Sequence, residues 1–319
     1  MDQKKQMPLF VIIVPCYNEQ ELIKETSRKL NFILEKLISQ SQISENSFVL
    51  FVDDGSQDET WSLIKEAKQE IARIKGIKLS RNFGHQAALL AGMMKVKETA
   101  DCIVSIDGDL QQDENVIPEF IKKYNASYDI VYGVRKSRTT DKLFKKITAT
   151  FFYKLMTIMG VGIIPNHADY RLVSKKVLTS LSDYSEVNLF LRGIFPIMGY
   201  KTTTVYHQVK ARVAGQSKYT LKKMLDFAFN GITSFSIVPI RIITFLGFGI
   251  FLFSLGMTLF VVFAYLFFKT VPGWASILLP IYFIGGVQLL SLGLIGEYIG
   301  KIYLETKRRP RYIVEEECS

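Results

Sequence analysis

Cysteine and histidine are both scarce. Cys16, Cys102 and Cys318 are the three cysteines in 319 residues, and they lie far apart with no metal or redox spacing, so neither a disulfide framework nor a thiolate metal centre is expected. His85, His167 and His207 are the three histidines; they read as packing or hydrogen-bonding residues and receive no role. No Gly-x-Gly-x-x-Gly turn follows the first apolar run, and no Gly-x-x-x-x-Gly-Lys occurs, which disfavours a dinucleotide-binding dehydrogenase and a P-loop nucleotidase. There is no internal repeat and no low-complexity segment. The formal net charge is +10, yet there is no nucleic-acid recognition motif and no block of five or six consecutive basic residues. Nucleic acid is therefore not an expected partner; anionic lipid and substrate phosphate are.

Charge is missing altogether from two long stretches. Ile242 to Phe268 holds no charged side chain over 27 residues, where about 20 suffice to cross a bilayer. Trp274 to Gly296 is also uncharged, and only Lys269 to Gly273 separates the two. They are expected to form a transmembrane hairpin of two helices, about 242–268 and 274–296. Arg241 before the pair, and Lys301, Lys307, Arg308, Arg309 and Arg311 after it, outnumber the lone Lys269 between them, so both termini should be cytosolic. Leu9 to Val14 is too short for a signal-peptide core. The expected location is the cell (plasma) membrane, multi-pass, with residues 1 to about 236 facing the cytosol.

Before residue 237, short apolar runs alternate with amphipathic ones. Leu9–Val14, Phe48–Val52, Ile77–Leu79, Cys102–Ile106 and Ile130–Tyr132 read as strands, while 21–38, 59–74, 86–97 and 114–124 read as helices. Strict alternation implies a mainly parallel α/β sheet covered on both faces, with ligands at the strands' carboxyl ends. Polar clusters fall at those ends: Pro15 to Glu19, Asp53 to Ser56, and Asp107 to Gln111. Two carboxylates and an amide oxygen in the third suit a hard divalent cation that bridges protein to substrate phosphate; an ordinary polar turn has the same composition.

The ordered set Val14-Pro15-Cys16-Tyr17-Asn18-Glu19, Val52-Asp53-Asp54-Gly55-Ser56, Arg81-Asn82-Phe83-Gly84, Asp107-Gly108-Asp109-Leu110-Gln111, Asp169-Tyr170-Arg171-Leu172 and Arg212 to Lys218 resembles the family-2 glycosyltransferases of the GT-A fold. Within them it resembles the polyprenyl-phosphate hexosyltransferases, the group that includes dolichol-phosphate mannose synthase and bactoprenol glucosyltransferase. The resemblance implies a GT-A catalytic domain over 1–217, a juxtamembrane amphipathic segment over 218–236, the two spans within 237–300 and a basic cytosolic tail over 301–319.

It also implies roles. Pro15, Tyr17, Glu19, Val52, Asp54, Asp107, Gly108 and Arg135 would bind the donor, and Asp107, Asp109 and Gln111 would hold Mg2+ or Mn2+. Arg212, Ser217 and Lys218 would meet the acceptor phosphate, and Asp109, Asp169, Arg212 and Lys218 would serve catalysis. Asp169 could act as base, position the acceptor, or pair with Arg171. The activity implied is inverting transfer of one hexose or N-acetylhexosamine, glucose favoured, to undecaprenyl phosphate. A UDP-sugar donor is favoured over a GDP-sugar, membrane lipids are partners, and a homo-oligomer is admitted. A processive polysaccharide synthase and a non-catalytic scaffold or flippase partner are the alternatives.

Overall fold

The computed structural model describes residues 7–109, 111–136, 167–186, 190–208, 238–267 and 274–318. The described residues fall into two compact units, one holding 7–208 and 309–318, the other 238–267 and 274–308. The first unit contains strands β1 (Phe10–Cys16), β2 (Phe48–Asp53), β3 (Ile74–Leu79), β4 (Cys102–Ser105), β5 (Ile130–Arg135), β6 (His167–Ser174), β7 (Thr202–His207) and β8 (Val314–Cys318). Its helices are α1 (Ile23–Ser39), α2 (Thr60–Glu70), α3 (His85–Val96), α4 (Ile117–Asn125), α5 (Lys175–Leu181) and α6 (Leu191–Ile197).

β1 is buried at every position because helices cover both faces of the sheet, and such a strand needs no polar alternation. α1 instead buries one stripe, Ile23, Ser27, Leu30, Leu34 and Leu37, at the spacing of a helix that packs by a single face. A 3-10 turn over Glu114–Val116, in which Asp113 accepts from the Asn115 N–H, leads into α4, which carries a proline in its first turn. The core on the α1/α2/α4 side joins Phe10, Ile12 and Val14 to Leu30, Leu34, Trp61, Ile64, Phe120 and Leu172.

The strand order is β7-β5-β6-β4-β1-β2-β3-β8. β6 runs antiparallel to β4 and β5, and β8 antiparallel to β3; the other ladders are parallel. The chain winds from β1 through β2 to β3 on one side, then returns to place β4 on the other side of β1. This reversal opens a crevice between the carboxyl ends of β1 and β4, where sheets of this kind bind ligands.

β8 corrects the expectation that 301–319 is only a basic tail. Val314–Cys318 is the edge strand beside β3, and Glu315, Glu316 and Glu317 pair with Lys78, Lys65 and Lys95. Strand pairing decides the matter here, because a backbone ladder does not depend on the tail's net charge.

The second unit contains α7 (Val238–Phe267) and α8 (Trp274–Thr306), of 30 and 33 residues. α8 runs ten residues past the uncharged stretch that ends at Gly296. Among the described residues, no helix is long and apolar enough to cross a membrane. The transmembrane hairpin is thus a reading of the sequence, and not a feature of the described structure. The juxtamembrane segment 218–236 lies outside the described residues.

Candidate active site

The loops after β1 and β2 are stitched together. The Asn18 N–H donates to Ser56 Oγ at 2.9 Å, the Gln57 N–H to Asn18 Oδ1 at 3.0 Å, and the Glu19 N–H to Thr60 Oγ1 at 2.9 Å. Pro15 is buried, while Tyr17 and Glu19 are half-buried on this frame. Asp53 is enclosed and accepts from the Ser56 N–H at 3.1 Å. Gly55 has φ +68°, and a Cβ there would come within 2.4 Å of the Arg81 carbonyl carbon. Only glycine permits both that backbone and that approach.

Asp54 is 3 % exposed, and its carboxylate accepts from the Phe83 N–H at 2.7 Å and the Gly84 N–H at 2.9 Å. It therefore holds the Arg81–Gly84 turn at the start of α3. Val52, expected to bind the donor, is fully buried in β2 between Pro15 of β1 and Ile77 of β3, so it serves the sheet and its core.

Asp107, Gly108 and Asp109 follow β4 at the crevice. Gln112, itself 1 % exposed, clasps Asp107 twice: its Oε1 accepts from the Asp107 N–H at 3.0 Å, and its Nε2 donates to Oδ2 at 2.5 Å. Gln111, expected as a metal ligand beside the two carboxylates, donates its main-chain N–H to Asp109 Oδ1 at 3.1 Å. A Cβ at Gly108 would meet the Pro15 carbonyl oxygen and Val14 Cγ1 at 3.5 Å, an ordinary contact, so its protein neighbours do not themselves demand glycine. Burial pushes the Asp107 carboxyl up; His85 eases it down, Asp169 and Asp109 raise it again, and Arg192 lowers it.

Asp169, on β6, is the centre of a charged cluster that sequence reasoning saw only in part. It is 3 % exposed. Oδ1 accepts from Arg171 Nη2 and from Arg192 Nε at 3.3 Å; Oδ2 accepts from Arg192 Nη2 at 2.9 Å and Gln86 Nε2 at 3.1 Å. His85 Nε2 lies 3.3 Å from Asp169 Oδ2 and 3.6 Å from Asp107 Oδ1, so the first residue of α3 bridges the two acidic groups. Gln86 Oε1 accepts from the Leu191 N–H at 3.1 Å, which ties the start of α6, and Arg192 with it, to the same point. Burial pushes Asp169 up, but Arg192, the His85 hydrogen bond and Arg171 together pull its carboxyl well below the usual range.

His85 thus belongs to the site, although nothing but its place directly after Arg81-Asn82-Phe83-Gly84 marks it in the sequence. Gln86, Gln112 and Arg192 were missed for want of a motif. Arg135 is exposed at the end of β5, which β6 separates from β4. Arg212, Ser217 and Lys218 lie outside the described residues.

Among the described residues, no group of three or more His, Cys, Asp or Glu side chains stands ready to hold a metal. Two carboxylates nevertheless fit Mg2+ or Mn2+, which keep waters and take further oxygens from substrate phosphates. A mostly parallel sheet with acidic loops at its switch point and this paired carboxylate describes a GT-A enzyme that uses nucleotide sugars.

Residues 11–181 match the family model described as Glycosyl transferase family 2. The chain belongs to that family and is a glycosyltransferase. It is 50 % identical over 312 residues to "Uncharacterized glycosyltransferase YkoT" of Bacillus subtilis (strain 168), covering 98 % of this chain and 93 % of that one. It is 38 % identical over 309 residues to "Bactoprenol glucosyl transferase" of Shigella phage SfX, covering 95 % and 98 %. Among solved structures, a glucosyl-3-phosphoglycerate synthase from Mycobacterium tuberculosis with Mn2+, UDP and glucosyl-3-phosphoglycerate is 14 % identical. It covers 71 % of this chain and 78 % of that one at a TM-score of 0.44, too distant to inform the site.

Proposed function

We propose that the protein transfers a single hexose or N-acetylhexosamine, with glucose favoured, from a UDP-sugar to undecaprenyl phosphate at the cytosolic face of the cell membrane, with inversion. The observation that carries this reading is the Asp107–Asp109 pair at the β1/β4 crevice, in a chain that matches bactoprenol glucosyl transferases from end to end.

Asp107 and Asp109 would hold the divalent ion, which neutralises the diphosphate when bound. An acceptor phosphate oxygen forms the new bond to the anomeric carbon, and the bond from that carbon to the nucleoside diphosphate breaks, its electron pair leaving with the diphosphate. A phosphate monoester with a second pKa near 6 is mostly dianionic at neutral pH, so it needs no strong base. Tyr17 and Glu19 flank the nucleoside, and Arg135, Arg212, Ser217 and Lys218 meet phosphate.

Membrane attachment is supported by the uncharged sequence and by exposed apolar side chains along α7 and α8, including Phe245, Phe253, Phe260, Phe267, Ile277 and Leu292. The chain departs from the unit that holds the sheet and comes back to it as β8. An even number of crossings is compatible with that return, and the basic residues flanking the uncharged stretches favour the cytosolic side for both ends.

The test supplies purified protein with radiolabelled UDP- and GDP-sugars, undecaprenyl phosphate and Mg2+ or Mn2+. A labelled, acid-labile lipid is expected with a UDP-sugar, and it should disappear with Asp109→Asn or with EDTA. No labelled lipid from any donor refutes the reading. Extended polymer would favour the processive synthase instead.

A further inference from the structure

Asp169 has the wrong surroundings for a proton acceptor. A carboxylate offers about four lone-pair sites, and five nitrogen groups converge on this one: Arg171 Nη2, Arg192 Nε, Arg192 Nη2, Gln86 Nε2 and His85 Nε2. With 3 % of the residue exposed, an attacking hydroxyl or phosphate would have to displace one of these partners to reach it.

Two guanidiniums face one carboxylate. Arg171 is fully buried; it also donates to the Leu191 carbonyl and lies over the Phe195 ring, so its charge is sealed in. Arg192 differs. Its side chain is 23 % exposed, and the Asp169 fork fixes its guanidinium plane from behind. Through His85, the same carboxylate is linked to Asp107 at the crevice where the diphosphate is expected.

We propose that Asp169 is a positioning residue, and that it presents Arg192, carried on α6, as the group in this cluster that meets a substrate phosphate. A guanidinium held in one plane is suited to bidentate contact with phosphate oxygens, and fixing it in advance removes the cost of ordering it during the reaction. The phosphate belongs either to the donor's diphosphate or to the lipid acceptor. Both sources share one chemistry, and the inference rests on the glycosyl-transfer reading above.

The experiment compares wild type, Arg192→Gln, Arg192→Lys and Asp169→Asn in detergent. Wild-type transfer to undecaprenyl phosphate is measured first, since its absence refutes the proposed function itself and leaves Arg192 to be judged by nucleotide binding alone. Arg192→Gln keeps the Arg171–Asp169 pair and should melt close to wild type, yet lose roughly 100-fold or more in kcat/KM, as when a donor to developing charge is removed. Arg192→Lys should recover only part of it.

Titration with UDP and Mn2+, without acceptor, separates the sources. Weakened UDP binding assigns Arg192 to the donor diphosphate; unchanged binding with a raised acceptor KM assigns it to the lipid phosphate. Arg192→Gln with unaltered kcat/KM and unaltered UDP binding overturns the proposal. In Asp169→Asn, the residual activity should keep the acid limb of the pH profile near the acceptor's own ionisation. A flattened limb makes Asp169 the base and also overturns it. Should that variant not fold, the Arg192 pair decides alone.

Discussion

Removing the carboxylate from the Asp169 cluster should cost more than removing the buried cation beside it. Asp169→Asn leaves two guanidiniums facing each other around a neutral amide, with Arg171 wholly inside the protein and its Nε already lacking a partner. Breaking a buried pair by deleting one partner costs about 3–5 kcal/mol. For a domain of roughly 150–250 residues, at ~2–4 °C per kcal/mol, that lowers the melting temperature by ~6–20 °C. Arg171→Met also breaks a pair, but Asp169 keeps Arg192, Gln86 and His85, no buried cation is left without its carboxylate, and the methionine can still pack on Phe195. Its loss should be clearly smaller.

The assay is thermal unfolding followed by the fluorescence of Trp61, 6 % exposed beneath β8, with Trp274, the other tryptophan, replaced by Phe throughout. Acidity adds a second reading. The Asp169 carboxyl is held below its ordinary value in the fold, so its stabilisation is present above the unfolded pKa of ~3.9 and drains away as pH falls through the lower folded value. The gap between wild type and Asp169→Asn should therefore narrow below about pH 4. If Arg171→Met melts at or below Asp169→Asn at neutral pH, the cluster is not organised around its carboxylate.

Two further changes probe the frame around the site. Gly55→Ala places a methyl group against the Arg81 backbone at φ +68° and should destabilise the fold by about 1–3 kcal/mol from the backbone alone; a denaturant midpoint equal to wild type would show that the turn relaxes freely. Deleting residues 312–319 uncovers the β3 edge and removes the 2.6 Å bond from Trp61 Nε1 to Glu316 Oε2. A red-shifted Trp61 emission and concentration-dependent self-association are expected, because unpaired edges recruit other strands; a monomer with unchanged emission contradicts this.

β1, β2, β4 and β5 were legible as continuous apolar runs, and α1, α2 and α4 as single apolar stripes; β3, with Lys75 and Lys78 inside it, begins at Ile74, where a helix was expected to end, and α3 is buried almost all round. β6 and β7 escaped for a local reason. His167, Asp169 and Arg171 alternate with Ala168, Tyr170 and Leu172, so β6 has a polar, charged face whose burial depends on distant residues, such as Arg192 and Gln86, 23 and 83 positions from Asp169. No local window holds that information. The acidic triplet Glu315–Glu317 looked like solvated tail because its three lysine partners come from β3, α2 and α3.

The site divides along the same line. Asp107 and Asp109 were visible since their chemistry is local: two hard oxygen donors on a turn after a strand. The groups that orient them were not. Gln112 braces Asp107 from five residues away while Gln111, equally polar and one position nearer, contributes its main chain. Choosing between adjacent glutamines takes the direction of the chain after β4, which composition does not encode. Asp169 is the extreme case. Sequence left it as base, positioning group or salt-bridge partner, and the count of nitrogens on its two oxygens separates these uses: saturation and burial weigh against the base and make the ion pairs the means by which it positions Arg192.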